Sequence, residues 1–292
     1  MAAGVTGGSY GFHLTRVGGP VLASLHADHS FYPASSIKVL HHVHAVRWAY
    51  ARPDPRAALA TPVPVYRDSC SGSGASDLEP LGGVLAAMMR VSDNQRTNAV
   101  QDYFGAGEIN LTASTVIGTG PGTLLAHRFG CGGPANDPAN RATAADLALV
   151  YQRYGEGVLL DPAGSEALAG FMLGEETGIL DGVIDGEAVA LGLSGGEVAR
   201  FEEGLEVIYK EGWWNTNLSI GAHVSLTTRV CSGERTTGYA LAVFIDGARS
   251  VAPGFGPGLM VGELLRPEIR AALGGYDLAR PLCLSAWAPQ AG

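Results

Sequence analysis

The spacing of apolar residues changes twice along the chain, and this restricts its possible folds more than any other feature. Near the start, residues 9–17 and 21–26 alternate apolar with polar and are joined by Gly18-Gly19-Pro20, which predicts an antiparallel hairpin. From Ser35 or just after it the apolar positions recur at helical spacing until Pro53, and helical spacing returns over 81–90, 95–104, 143–154 and 164–173. Residues 118–140 interrupt that series with Gly, Pro and Asn, predicting a long irregular loop closed by a helix cap at Thr143, with Asp146 three residues on. After residue 205 the period returns to two over 205–210, 222–228 and 239–245, an antiparallel meander, and 258–273 predicts a terminal helix despite Pro267.

Strands, many helices, strands, then a helix: that order predicts an α+β fold, an α/β sandwich in which both chain ends build one antiparallel sheet. We expect a single domain, with residues 1–34 plus 200–292 forming the α/β lobe and 35–199 an inserted, mainly helical lobe. At 292 residues the chain can bury a sizeable core without staples. Its formal charge of -9 repels phosphate backbones and anionic lipid surfaces, so neither nucleic acid nor membrane is an expected partner. No apolar run approaches the roughly 20 residues of a membrane span. Residues 1–12 lack the basic start and apolar stretch of a signal peptide, leaving a cytoplasmic protein or a mature exported form as the two expectations. A monomer acting on a small molecule is the expected state.

Cys70, Cys131, Cys231 and Cys283 include no Cys-x-x-Cys, which argues against structural zinc. Chain proximity suggests the pairs Cys70–Cys131 and Cys231–Cys283, with buried reduced thiols as the alternative. The histidines in His41-His42-Val43-His44 and His26-x-x-His29 lack a carboxylate at ligand spacing, so no metal is expected. Gly118-x-Gly120-x-Gly122 has neither the preceding strand nor the following helix of a nucleotide site, and no cofactor is expected.

Three short motifs carry chemistry. Ser35-Ser36-Ile37-Lys38 places a serine and a lysine three apart at a helix start; partial burial can lower a lysine's pKa until it accepts a serine proton. Alone, the motif is more often a capping serine beside a solvated lysine. Ser92-Asp93-Asn94 lies between two predicted helices, where Ser92 can shuttle a proton to a leaving nitrogen and Asn94 can hold a substrate amide. Lys210-Glu211-Gly212 ends the first strand of the meander, where the lysine can fix the Ser92 hydroxyl and the strand edge can dock substrate.

In that order and at those spacings, the three motifs resemble the penicillin-recognising serine hydrolases, and most closely the class A β-lactamases. The resemblance covers most of the chain and implies a sheet packed against a helical lobe, with the site between them. It implies that Ser35 is the acylated nucleophile, Lys38 its general base or proton relay, Ser92 the proton shuttle, Lys210 its electrostatic partner and Asn94 a contact for the acyl side-chain amide. The oxyanion hole would combine the Ser35 N–H with that of Trp213 or Trp214. Trp213, Trp214 and Tyr66 are candidates for an aromatic wall, and equally for core packing.

Two departures bear on substrate. The family's deacylating glutamate has no counterpart in the omega-type loop at 124–131, where counting from either side lands on Arg128 or His127, and His127 is the candidate replacement base. Glu211 stands where a Thr or Ser usually binds the substrate carboxylate, and its charge opposes an anion there. The expected function is cleavage of a β-lactam or related amide or ester through an acyl-Ser35. The alternatives are an esterase or acyl transferase of secondary metabolism, or a non-hydrolysing penicillin-binding or sensor protein.

Overall fold

The computed structural model describes residues 5–172, 178–230, 233–247, 250–251 and 257–276. In chain order the first half holds β1 (Val5–Thr6), β2 (Ser9–Arg16), β3 (Val21–Leu25), α1 (Lys38–Tyr50), α2 (Pro55–Leu59), β4 (Pro62–Asp68), β5 (Ser73–Pro80), α3 (Leu81–Arg90), α4 (Asn94–Phe104) and α5 (Ala106–Thr112). The second half holds α6 (Ala144–Gly155), α7 (Pro162–Met172), α8 (Asp181–Leu191), α9 (Gly195–Glu203), β6 (Glu206–Trp214), β7 (Asn217–Val230), β8 (Gly233–Asp246), β9 (Ser250–Val251) and α10 (Pro257–Leu273).

The two chain ends meet in an antiparallel sheet of order β3-β2-β8-β7-β6, joined where β2 pairs with β8 from Ser9↔Asp246 to Arg16↔Tyr239. The period-two pattern sorts the sheet's faces. Tyr239, Leu241, Val243 and Ile245 of β8 pack in one core with α10, Leu180, Val183 and Ile184 of the α8 region and Phe201 of α9. Ala240, Ala242 and Phe244 point the opposite way, into the core of the helical lobe. Each fully buried Leu, Ile, Val or Phe side chain contributes roughly 1.5–3 kcal/mol. Small residues on the second face let α6 lie close to the sheet: a Cβ built on Gly221 would come within 2.4 Å of Tyr151. The predicted cap is present, Asp146 N–H donating to Thr143 Oγ1 at 3.0 Å. Helices α8 and α9, on the helical side of the boundary expected at residue 199, pack with α10 and the sheet. Among the described residues no helix is long and apolar enough to cross a membrane.

The β4–β5 hairpin was not legible from apolar spacing. Its sequence mixes prolines with valines, and β5 is almost wholly exposed, so one strand lacks an apolar face and the other carries the breakers Pro62 and Pro64. A two-stranded ribbon tolerates both, because its outer edges need no further pairing. Only Val63 and Val65 are buried beneath it.

The loop at 118–140 is irregular but firmly held. Asn110 brackets Leu125 through both amide atoms, and Asn140 Oδ1 accepts from the N–H groups of Ala126 and His127. Arg128 pairs with Asp102 and donates to Ser69 O. A Cys70–Cys131 disulfide ties the loop to the β4–β5 turn, as chain proximity suggested. Cys231 and Cys283 lie outside the described residues. The bond spans 61 residues, for which loop-closure entropy gives about 4 kcal/mol. Replacing both cysteines by serine is therefore expected to lower the unfolding free energy in a reversible urea titration by several kcal/mol; a change below about 1 kcal/mol would mean that the unfolded chain already holds these segments together.

Candidate active site

A cleft of about 450 Å³ opens between β6, the C-terminal end of α3 and the turn that follows it, lined by Ser35, Ser92, Asn94, Lys210, Glu211 and Trp213 among others. Three chain segments far apart in sequence thus converge on one cleft.

Ser35 lies in the turn before α1, not inside the helix. Ala34 holds a positive φ of 45°, and Lys38 N–H bonds Ser35 O at 3.1 Å, an i to i+3 closure that tightens into the α-helix at Lys38. The turn is anchored at Pro33 O, which accepts from Ser36 N, from Ser36 Oγ at 2.8 Å and from Ser219 Oγ of β7 at 2.5 Å. Left-handed alanine costs roughly 1–2 kcal/mol, which this triple anchor offsets. On β6, Gly212 faces the nucleophile so closely that a Cβ there would come within 2.4 Å of Pro33 O and 2.6 Å of Ser35 N.

Lys38 is fully buried, and its three ammonium hydrogens match three acceptors: Ser92 O at 2.7 Å, Ser92 Oγ at 3.3 Å and Asn94 Oδ1 at 2.7 Å. Burial, reinforced by the charge of Lys210 and opposed by Asp93, pushes its pKa down to about 7. Ser92 holds a positive φ of 57°, and the turn around it is pinned by Asp93, whose side chain caps α4 through Arg96 N–H at 2.9 Å. Arg96 in turn grips Asp93 and Glu79. Asn94 therefore binds the lysine directly.

Lys210 points inward from β6 and is buried; desolvation lowers its pKa to about 8, with Glu211 acting in the opposite direction. It donates to Glu211 O at 3.1 Å and forms no hydrogen bond to Ser92. Lys38 and Lys210 are the chain's two lysines, the other 17 of its 19 basic side chains being arginine. That count was available from sequence and would have singled out both. Glu211 is exposed and lines the cleft. Arg90 at the end of α3, unanticipated, also lines the cleft, and its guanidinium donates to Gly170 O at 2.9 Å.

The two tryptophans diverge with the strand pleat. Trp213 is 76% exposed on the cleft, its indole N–H bonded to Asn215 O at 2.6 Å. Trp214 packs over Gly133 and edge-on to Tyr32, fastening the loop to the end of the sheet. Neither Trp214 nor Tyr66, which lies on β4 opposite Ser76, lines the cleft. His127 does not line it either: its ring donates from Nδ1 to Arg128 O at 2.7 Å, and Nε2 is buried without a partner. Phe129 lies over Lys38 Nζ, 5.1 Å from ring centre to nitrogen, and a Cβ on Gly130 would sit 3.2 Å from Asn94 Nδ2. Loop residues 127–131 thus bring no carboxylate to the lysine.

The histidine run on α1 has a packing role. His41, His42 and His44 meet Phe129, Phe171 and Phe104 edge-on, and burial lowers all three pKa values, to about 3 for His41 and about 4 for His42. Among the described residues, no group of three His, Cys, Asp or Glu is placed to hold a metal.

A sequence profile of the Beta-lactamase enzyme family matches residues 2–217. The chain belongs to that family, and its class is that of the β-lactamase-like serine hydrolases. Among solved structures, a β-lactamase from Sphaerobacter thermophilus is 20% identical, with 94% of each chain covered and a TM-score of 0.66. A β-lactamase from Xanthomonas campestris is 18% identical over 90% of this chain and 92% of its own, at a TM-score of 0.63. A point mutant of PBP-A, solved as an acyl-enzyme complex with penicillin G, is 20% identical over 92% of this chain and 90% of its own, at 0.60. These likenesses establish the β-lactamase/transpeptidase-like fold. No curated protein sequence matches the chain significantly.

Proposed function

We propose that the protein is an acyl-serine enzyme in which Ser35 attacks the carbonyl of an amide or ester. The observation that carries this reading is the Lys38 ammonium, buried, held by Ser92 and Asn94, and with a pKa lowered to about 7. At neutral pH about half of such a lysine is unprotonated and can accept the Ser35 proton directly or through Ser92. Lys210, still mostly protonated at pH 7, supplies positive charge to the site, where it helps to lower the Lys38 pKa. The close approach of Gly212 to Ser35 N favours Trp213 N–H over Trp214 N–H as second oxyanion donor, since it lies one residue nearer along the strand.

Deacylation is the weaker half of the reaction. Phe129 and Gly130 occupy the loop positions nearest Lys38 and Asn94, and neither activates water. The His127 ring is turned to a carbonyl, which counts against it as the replacement base. This favours an acyl-enzyme that outlives hydrolysis and passes its acyl group to an amine or alcohol, the transferase reading, or retains it, as a penicillin-binding protein does. With Arg90 and Glu211 both lining it, the cleft offers an anionic group a cation as well as the glutamate.

Intact-mass spectrometry over time, with benzylpenicillin and with an activated ester, tests the proposal. A Ser35-dependent adduct that persists in water but is discharged by added amine or alcohol is the expected result. Rapid acceptor-independent hydrolysis would reject the transferase and binding readings, and absence of any adduct from either donor would reject acyl-serine chemistry.

A further inference from the structure

The Lys38 ammonium is enclosed by acceptors from the α3–α4 turn and by an aromatic ring from the loop. Its three hydrogens are taken by Ser92 and Asn94, and the Phe129 ring lies 5.1 Å from the nitrogen, measured to the ring centre. Phe129 is itself held with little freedom. Its N–H donates to Asn98 Oδ1 at 2.8 Å, and its carbonyl accepts from Asn98 Nδ2 at 3.0 Å, so a buried amide from α4 satisfies both backbone groups of this one loop residue. The same Nδ2 donates to Ser69 O at 3.3 Å, and His41 meets the ring edge-on at 5.4 Å. Two residues further on, Cys131 ties the loop covalently to the neighbouring hairpin. A loop this constrained, over a ring that touches a buried cation, does more than connect two helices.

We propose that Phe129, fixed by Asn98, is a positioning residue for Lys38, its ring shielding the ammonium from water. The proposal rests on the reading of Lys38 as the group that takes the Ser35 proton. The charged and titratable groups around Lys38 are Lys210 from β6, with Glu211 beside it, Asp93 from the turn after α3, and His41 on α1. Asp93 favours the protonated lysine and Lys210 opposes it. His41, with a pKa near 3, is neutral at working pH. The next loop residue back, Arg128, is neutralised by Asp102.

The ring has two opposing effects: its face attracts the cation, while its bulk excludes the water that would stabilise charge. Two variants separate them. Phe129→Leu keeps the apolar cover and loses the π face; Phe129→Ala loses both.

With two lysines in the chain, protein carrying 13Cε-labelled lysine shows two titrating side chains, assigned by Lys210→Arg. In the full chain without any acyl donor, the Lys38 midpoint is expected to rise by about one pH unit or more in Phe129→Ala, as water reaches the ammonium, and to stay level or fall in Phe129→Leu. Asn98→Ala, which frees the ring without deleting it, is expected to shift the midpoint upward too, and serves if Phe129→Ala does not fold. A midpoint that stays at the wild-type value or falls in Phe129→Ala and Asn98→Ala, or that rises equally in Phe129→Leu, would overturn the proposal. Because the titration needs no substrate, an unacylated Ser35 would sink the proposed function alone. A normal acylation rate with an unmoved midpoint would sink only the role of Phe129.

Discussion

The rate of Ser35 acylation is expected to follow a narrow bell in pH, rising through about 7 and falling above about 8. The rising limb is Lys38: as a base it works unprotonated, and its pKa, lowered by burial and by Lys210, lies near 7. The falling limb is Lys210, which contributes only while positively charged and whose pKa is near 8. Because the charge of Lys210 lowers the Lys38 pKa, the rising limb depends on both lysines. Removing the Lys210 charge with Lys210→Met is expected to raise the Lys38 midpoint and abolish the falling limb. Lys38→Met should slow acylation by ~10²–10⁴-fold at every pH, the usual contribution of a positioned general base. Stopped-flow acylation by an activated ester from pH 5 to 10 measures all three. A rate that climbs steadily to pH 10 in the wild type would show that Lys38 keeps an ordinary pKa and that the proton leaves Ser35 by another route.

Gly212→Ala is expected to be the most damaging single-methyl change in the site. The added Cβ would lie 2.4 Å from Pro33 O and 2.5 Å from Ser219 Oγ, and 2.6 Å from Ser35 N. Two of those three atoms belong to the backbone and cannot rotate away. Either β6 withdraws from the nucleophile turn or the turn withdraws from β7, and in both cases the Ser35 N–H loses its place beside the strand. A displaced oxyanion donor costs roughly 10²–10³-fold in rate, and the strain of overpacking adds about 1–3 kcal/mol of lost stability. Gly195→Ala, at an α9 position with nothing within 4 Å of the added carbon, is the matched control. Acylation rate and urea unfolding together check the expectation; a Gly212→Ala protein that acylates at the wild-type rate would mean that the oxyanion is stabilised elsewhere.

Much of the architecture was legible because each signal has a simple local cause. The β2–β3 hairpin, the meander of β6 to β8, the helices α1, α3, α4, α6 and α7 and the terminal α10 all follow from apolar periodicity bounded by Gly, Pro or a cap. Pro267 does not stop α10: Val261, Leu265, Ile269 and Leu273 bury one continuous stripe against the sheet, and packing outweighs the lost hydrogen bond. The β4–β5 hairpin and α8 left weaker traces. In β5 nearly every side chain meets solvent, so nothing marks the period; α8 buries Glu187 under Arg266 and Arg270 of α10, an inward carboxylate that obscures its apolar face.

For the site, the three motifs and the family they resemble brought Ser35, Lys38, Ser92, Asn94 and Lys210 under suspicion, and the structure places them in one cleft or its wall. What spacing could not rank were the loop residues. His127, Arg128, Phe129 and Gly130 are adjacent in sequence, yet one faces a carbonyl, one an aspartate, one the buried lysine and one an asparagine. In a loop without regular period, side-chain direction depends on what anchors the backbone, here Asn98, Asn110 and a disulfide from other parts of the chain together with Asn140 at the loop's own far end. The sequence by itself determined the strongly periodic elements, their order and the chemistry-bearing side chains, because periodicity and composition act over a few residues. Tertiary structure alone decided which side chains meet. Arg90 in one cleft with Glu211, Trp213 exposed while Trp214 is packed away, and a phenylalanine over Lys38 all depend on contacts between segments that only folding brings together.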